Sequence, residues 1–317
     1  MLKSEMKFSA VNDSVLQAIG NTPVVRLRKI VEPGMADVVI KLEYYSPTGS
    51  YKDRMALAMI EGAEARGELK PGMRVVEYTG GSTGTSLALV CAVKGYQFSP
   101  VSSNAFAREK LQTMRLFGAD LHLIESSDGK LTPELFQKMI STAARMGAEP
   151  NSFYTDQFNN KDSIRGYMGI ADELLEQVGT IDVFCAGVGT AGMIVGVSRG
   201  LKRGGSKVRI VALEPESSAV ITTGKGGPHR VEGIAAGFVP PHLKREEYDE
   251  ARAISESAAR EMARRLAKEE GIFAGTSTGL NVVAALQLAK ELGPGKTVAT
   301  VAVDSGMKYL AGDLFQE

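Results

Sequence analysis

Short apolar, β-branched runs alternate with longer stretches of helical periodicity along most of this chain, and that alternation restricts the fold more than any other feature. VVIKLE (Val38–Glu43), RVVEYT (Arg74–Thr79), FSPVSS (Phe98–Ser103), DLHLIE (Asp120–Glu125), DVFCAG (Asp182–Gly187), VRIVALE (Val208–Glu214) and VATVAV (Val298–Val303) read as strands. Several are almost continuously apolar, as parallel strands covered on both faces must be. Between them, Lys52–Arg66, Thr83–Lys94, Ala107–Phe117, Pro133–Met146, Ile164–Val178, Met193–Lys202, Ser255–Glu270 and Gly279–Leu292 carry helical patterns. Strand–helix repetition of this kind predicts an α/β fold with mostly parallel sheets. A seam is expected near Gly147–Asn151, and the Gly- and Pro-rich stretch Gly224–Pro241 is long enough to be a functional loop.

A chain of 317 residues holds about two domains. Lys plus Arg and Asp plus Glu both number 37, so no basic excess points to nucleic acid. Cys91 and Cys185 lie far apart in apolar runs, which argues for core thiols and a reducing, cytoplasmic setting. The segment MLKSEMKFSAVNDS has no apolar signal core, and no apolar run reaches the roughly 20 residues of a membrane helix. Three histidines at unrelated spacings make a histidine-built metal site improbable.

Glycine is abundant, 35 residues, well above the usual share of about 7%. It clusters at three strand-to-helix turns: Gly80, Gly81 and Gly84; Gly187, Gly189 and Gly192; Gly275 and Gly279. Such turns suit anions, because glycine admits close backbone approach and the following helix offers free N–H groups. Gly187-Val188-Gly189-Thr190-Ala191-Gly192 follows a strand and opens a helix, with Glu214 ending the next strand. That arrangement satisfies the nicotinamide-dinucleotide fingerprint, yet it equally suits another phosphate ligand or a plain tight turn. Lys52 opens a helix after a Pro/Gly turn, where the helix dipole disfavours a cation. It is either a solvated charge or an amine made nucleophilic by a lowered pKa. A Schiff-base lysine beside a glycine-rich phosphate turn is what pyridoxal phosphate needs. The turn Tyr78–Ser86, dense in hydroxyls, suits a carboxylate and also reads as an N-cap cluster.

These segments together resemble the fold-type-II pyridoxal-phosphate enzymes of the cysteine synthase / cystathionine β-synthase family. The resemblance rests on GNTPVVRL (Gly20–Leu27), SPTGSYKDR (Ser46–Arg54), Tyr78–Ala88, DQFNN (Asp156–Asn160), GVGTAG, GGPHRVEGIAAGF (Gly226–Phe238), GTSTG (Gly275–Gly279) and DSG (Asp304–Gly306). It implies two doubly wound domains with mostly parallel sheets, similar to the tryptophan synthase β chain. Residues 46–149 would form the smaller mobile domain, and 1–45 plus 150–317 the larger. It further implies that Lys52 carries pyridoxal phosphate covalently, that Gly189, Thr190, Ala191, Gly192 and Met193 cradle its phosphate, and that Ser82 and Ser277 contact its ring. Thr79, Gly80, Gly81, Ser82, Thr83 and Gln157 would hold the substrate carboxylate.

The implied reaction is β-replacement on an O-activated serine by sulfide or another nucleophile, through an α-aminoacrylate, in a homodimer. The alternatives are a pyruvate-releasing β-eliminating lyase or deaminase of the same fold, a nicotinamide-binding protein, and a non-enzymatic regulator. The chain departs from the family at Ser82 (usually Asn), Gly80 (usually Ser), Ala191 and Ala235 (usually Gly) and Met193 (usually Thr). A roomier pocket is therefore expected at Gly80. Direct contacts from His229, or from Arg230 to a phosphorylated leaving group, are weaker expectations.

Overall fold

The computed structural model describes residues 11–126 and 132–316; most of the MLKSEMKFSAVNDS stretch at the start lies outside them. Among the described residues, the larger sheet has six strands. In spatial order they are β1 (Val24–Arg26), β2 (Asp37–Leu42), β10 (Thr297–Ala302), β7 (Val183–Gly187), β8 (Arg209–Pro215) and β9 (Glu250–Ile254). All run parallel except β1, which pairs antiparallel with β2. The smaller, all-parallel sheet is ordered β5 (His122–Ile124), β4 (Gln97–Ser103), β3 (Arg74–Tyr78), β6 (Ser152–Tyr154). The helices are α1 (Lys52–Ala65), α2 (Ser82–Lys94), α3 (Arg108–Leu116), α4 (Pro133–Gly147), α5 (Lys161–Val178), α6 (Gly192–Leu201), α7 (Glu256–Arg265) and α8 (Thr276–Leu292). All seven expected strands and eight expected helices form.

Each central strand supplies both faces of the large sheet. Val38, Ile40, Val183, Cys185, Val211 and Leu213 pack with Ala259, Met262, Leu280 and Leu288 of α7 and α8. Their neighbours Val39, Phe184, Ala186, Ile210 and Ala212 face Tyr167, Ile170, Leu174, Ile194 and Val197 of α5 and α6. This is the period-two alternation of a strand with no solvent face, and it explains the unbroken apolar runs. Full burial of an Ile, Leu or Phe stabilises by about 1.5–3 kcal/mol, so these layers dominate the favourable side. In the small sheet, Val76, Tyr78, Val101 and Ile124 pack against Leu135, Met139 and Ala143 of α4. Met55 and Met59 are wholly buried on α1, as core residues.

Three short strands were not anticipated. β1 and β6 have three residues each, and β9 (EARAI) is charged and only partly buried, so none has an apolar signature. β6 follows the expected seam, and its pairing with β3 keeps the chain in the small sheet to Tyr154. A buried ionic cluster joins α1 to the large sheet. Arg54 Nε donates to Glu43 Oε2 at 2.7 Å and its other nitrogens to Glu173, while Lys41 Nζ lies 2.7 Å from Glu173 Oε2. It anchors the helix that carries Lys52.

Candidate active site

The carboxyl ends of β2, β3, β7 and β10 converge on one cleft, the usual ligand position in open α/β sheets. After β2 the chain turns through Ser46–Ser50 into α1. Tyr51 N donates to Val303 O at 3.1 Å and Ser305 N to Gly49 O at 3.0 Å, stitching the turn to the end of β10. Lys52 is the first residue of α1 and is buried, with its Nζ 4.9 Å above the Tyr51 ring. Burial pushes its amine down to about 8, although Asp304 and Glu77 pull it upward. Asp53, one residue on, accepts from Thr48 N at 2.8 Å and Thr48 Oγ1 at 2.5 Å, which holds the turn and supplies the anion favoured at a helix start.

The GVGTAG turn joins β7 to α6. Val188 N donates to Leu213 O and Gly187 N to Asn281 Oδ1, whereas the backbone N–H groups of Gly189 through Met193 donate to no protein acceptor among the described residues. They form a ready anion cradle at a helix N-terminus. A Cβ at Gly189 would stand 2.4 Å from Gly233 O, so that glycine is required by the loop above it. The Met193 side chain is buried in the apolar core, so only its backbone faces the turn.

Ala191 (φ 65°) and Ala235 (φ 52°) hold left-handed backbone where the family favours glycine. That conformation costs about 1–2 kcal/mol at each, offset in part by a buried methyl worth about 0.8 kcal/mol.

The Tyr78–Ser86 turn is built around Thr79. Its Oγ1 accepts from Gly84 N at 3.0 Å and Gly81 N at 3.3 Å, leaving its own proton free to donate. Thr83 Oγ1 donates to Gln157 Oε1 at 2.9 Å, and Gln157 Nε2 donates to Tyr78 O at 3.0 Å. Glu77, fully buried, accepts from Thr155 Oγ1, Gln157 N and Tyr78 N, and burial raises its carboxyl to about 8. Ser82 Oγ, at the start of α2, lies 3.2 Å from Lys308 Nζ. The expected carboxylate residues Thr79, Gly80, Gly81, Ser82, Thr83 and Gln157 are thus one connected unit.

At the head of α8, Ser277 Oγ is buried with no hydrogen-bond partner among the described residues, as is Asp304 Oδ1, while Tyr309 donates to Asp304 Oδ2 at 2.9 Å. An orphaned buried hydroxyl implies a missing partner. With the buried Lys52 amine and the free N–H groups of residues 189–193, these groups fit pyridoxal phosphate: an amine for its aldehyde, a cradle for its phosphate and a hydroxyl for its ring nitrogen. Glu77, Asn281 and Asp304 also support the site. Their signal is contact across chain separations that no local pattern contains.

Several expectations change. Gly80 opens no room, because an added Cβ would fall 2.1 Å from Cγ of Phe106. Gly279 is demanded by helix packing, with a Cβ 1.9 Å from Ala259 O, and Gly275 by the Tyr309 ring at 2.4 Å, so this third turn owes its glycines to packing. Arg230 points away to Asp313 at 3.0 Å, and His229 ties its own loop through Nε2 to Ala235 O at 2.9 Å. The nicotinamide reading finds no support at Glu214, whose carboxylate is buried and turned into its own loop, accepting from Ile221 N, Thr222 N and Thr222 Oγ1.

The family model described as pyridoxal-phosphate dependent enzyme matches residues 15–304. The chain is 44% identical over 306 residues to a cysteine synthase of Staphylococcus aureus (strain Mu50), covering 96% of this chain and 97% of that protein. Among solved structures it is similar to O-acetyl serine sulfhydrylase isoform 3 from Entamoeba histolytica, with a TM-score of 0.92, 34% identity, and coverage of 100% of this chain and 95% of the other. It is also similar to O-ureido-L-serine synthase, with a TM-score of 0.88, 36% identity and 96% coverage of both chains.

Proposed function

The chain belongs to the pyridoxal-phosphate-dependent enzymes, and from that premise we propose that it performs β-replacement on O-acetylserine with sulfide, giving cysteine. The end-to-end likeness to a cysteine synthase carries this reading. Pyridoxal phosphate, when bound, would supply an electron sink for the substrate. Lys52 would hold the cofactor and take the Cα proton on Nζ; with its pKa lowered, a useful fraction of the amine is free base near neutral pH. The Thr79 hydroxyl and the N–H groups at the start of α2 hold the substrate carboxylate. The N–H groups of Gly189, Thr190, Ala191, Gly192 and Met193 hold the cofactor phosphate, and Ser277 and Ser82 meet its ring.

We further infer that the small parallel sheet with α2, α3 and α4 closes as the smaller domain over the cleft and excludes water, while Ser46–Ala65, expected to move with it, stays with the large sheet through β10 and the Arg54 cluster. Contacts already crossing the cleft support this: Lys110 with Glu232, and Ser82 with Lys308. The working form is taken to be a cytoplasmic homodimer, in keeping with two unpaired buried thiols and with the family. Purified holoenzyme given O-acetylserine and sulfide is expected to make cysteine, and Lys52→Ala to lose both turnover and the visible cofactor band. Pyruvate release as the main product, with sulfide present, would assign β-elimination instead.

A further inference from the structure

We propose that Phe106 is a specificity-determining residue of this site: its ring occupies the place of the side chain that Gly80 lacks and forms one wall of the amino-acid pocket. The inference deepens the reaction proposed above and rests on it. A Cβ built on Gly80 falls 2.1–2.2 Å from Cγ, Cδ1 and Cδ2 of Phe106. These atoms are the root of a rigid ring, so any side chain at position 80 must displace it. Gly80 does not have left-handed backbone, so the ring, and not the backbone, requires glycine here.

The ring is held in place. Phe106 N donates to Ser103 O at 3.2 Å in the turn after β4, and the ring meets Phe136 edge-on with centroids 6.3 Å apart. Phe106 is only half-buried. Four residues on, in the first turn of α3, Lys110 pairs with Glu232 and lies 5.6 Å over the Tyr309 ring, whose hydroxyl bonds Asp304. Phe106 thus borders the carboxylate turn, in the segment between β4 and α3 that reaches Glu232 and Tyr309 through Lys110. A ring there offers no hydrogen-bond donor, and Arg230 is engaged elsewhere. The pocket so walled suits a β-substituted serine whose leaving group is short.

Titrating the holoenzyme with L-serine and L-methionine, read by cofactor absorbance, measures the size limit without turnover. Phe106→Ala is expected to tighten methionine binding by about tenfold while moving serine by less than about twofold, with Phe106→Leu between. Equal shifts for both amino acids would overturn the assignment. In cofactor-free protein, Gly80→Ser is expected to lower Tm by several degrees, and Phe106→Ala to abolish most of that loss. The same loss in both backgrounds would show that the ring is not what excludes a side chain. Wild-type turnover of O-acetylserine separates the two proposals: without it the reaction falls, whereas turnover with an unchanged Kd ratio in Phe106→Ala removes the role of Phe106 alone.

Discussion

At Lys52 the decisive physics is desolvation. A lysine with a folded pKa of about 8 against 10.5 unfolded binds fewer protons folded than unfolded between those values. Stability contributed by this position is therefore lowest below about pH 8 and rises as pH climbs toward 10.5. Lys52→Met is expected to remove that rise, on the order of 3 kcal/mol, in urea melts of cofactor-free protein between pH 7 and pH 10. Lys52 was legible because a cation at a helix start breaks a local rule, and rule-breaking residues mark function. Gly80 was misread for the complementary reason. A missing side chain looks like space in a sequence, but here the space is filled by Phe106, 26 positions away and without periodic relation to it.

Among the elements, α5 and α6 show a use of glycine that spacing alone did not reveal. Gly192, Gly196 and Gly200 share one face of α6. A Cβ at Gly196 would lie 2.5 Å from Ile164 O, and one at Gly200 2.4 Å from the Ala171 Cβ. Backbone cannot yield as a side chain can, so Gly196→Ala must push α6 away from α5. The expected cost is about 3 kcal/mol, at the upper end for overpacking. Because α6 begins at the GVGTAG turn proposed to hold the cofactor phosphate, weaker retention of the cofactor on dialysis is expected as well. Gel-filtered protein assayed for bound cofactor and for Tm checks both effects. The strands and helices themselves were readable from apolar periodicity; β1, β6 and β9 were not, being short or charged edge pieces whose pairing is settled by neighbours.

For the whole molecule, the Arg54 cluster decides how α1 meets the large sheet. Replacing Arg54 with leucine leaves Glu43 and Glu173 facing one another with Lys41 alone, and is expected to cost about 3–5 kcal/mol. Glu173 adds a pH signature, since its pairing with Arg54 and Lys41 outweighs burial and holds its carboxyl at about 2. That stability is present above the unfolded carboxyl range and is lost as pH falls toward 2; the Arg54→Leu variant is expected to lack the acid loss in denaturant melts. The sequence by itself determined the α/β alternation, the buried parallel strands, the lysine at a helix start and the glycine turn before α6. Each is written in local pattern, because periodicity, turn chemistry and helix dipoles act over a few residues. Only the fold settles which glycines are required by packing, that Glu214 is engaged within its own turn, and that Ser277 Oγ has no partner among the described residues. Those outcomes depend on atoms brought together from distant parts of the chain, where a contact of two or three ångströms settles what spacing cannot.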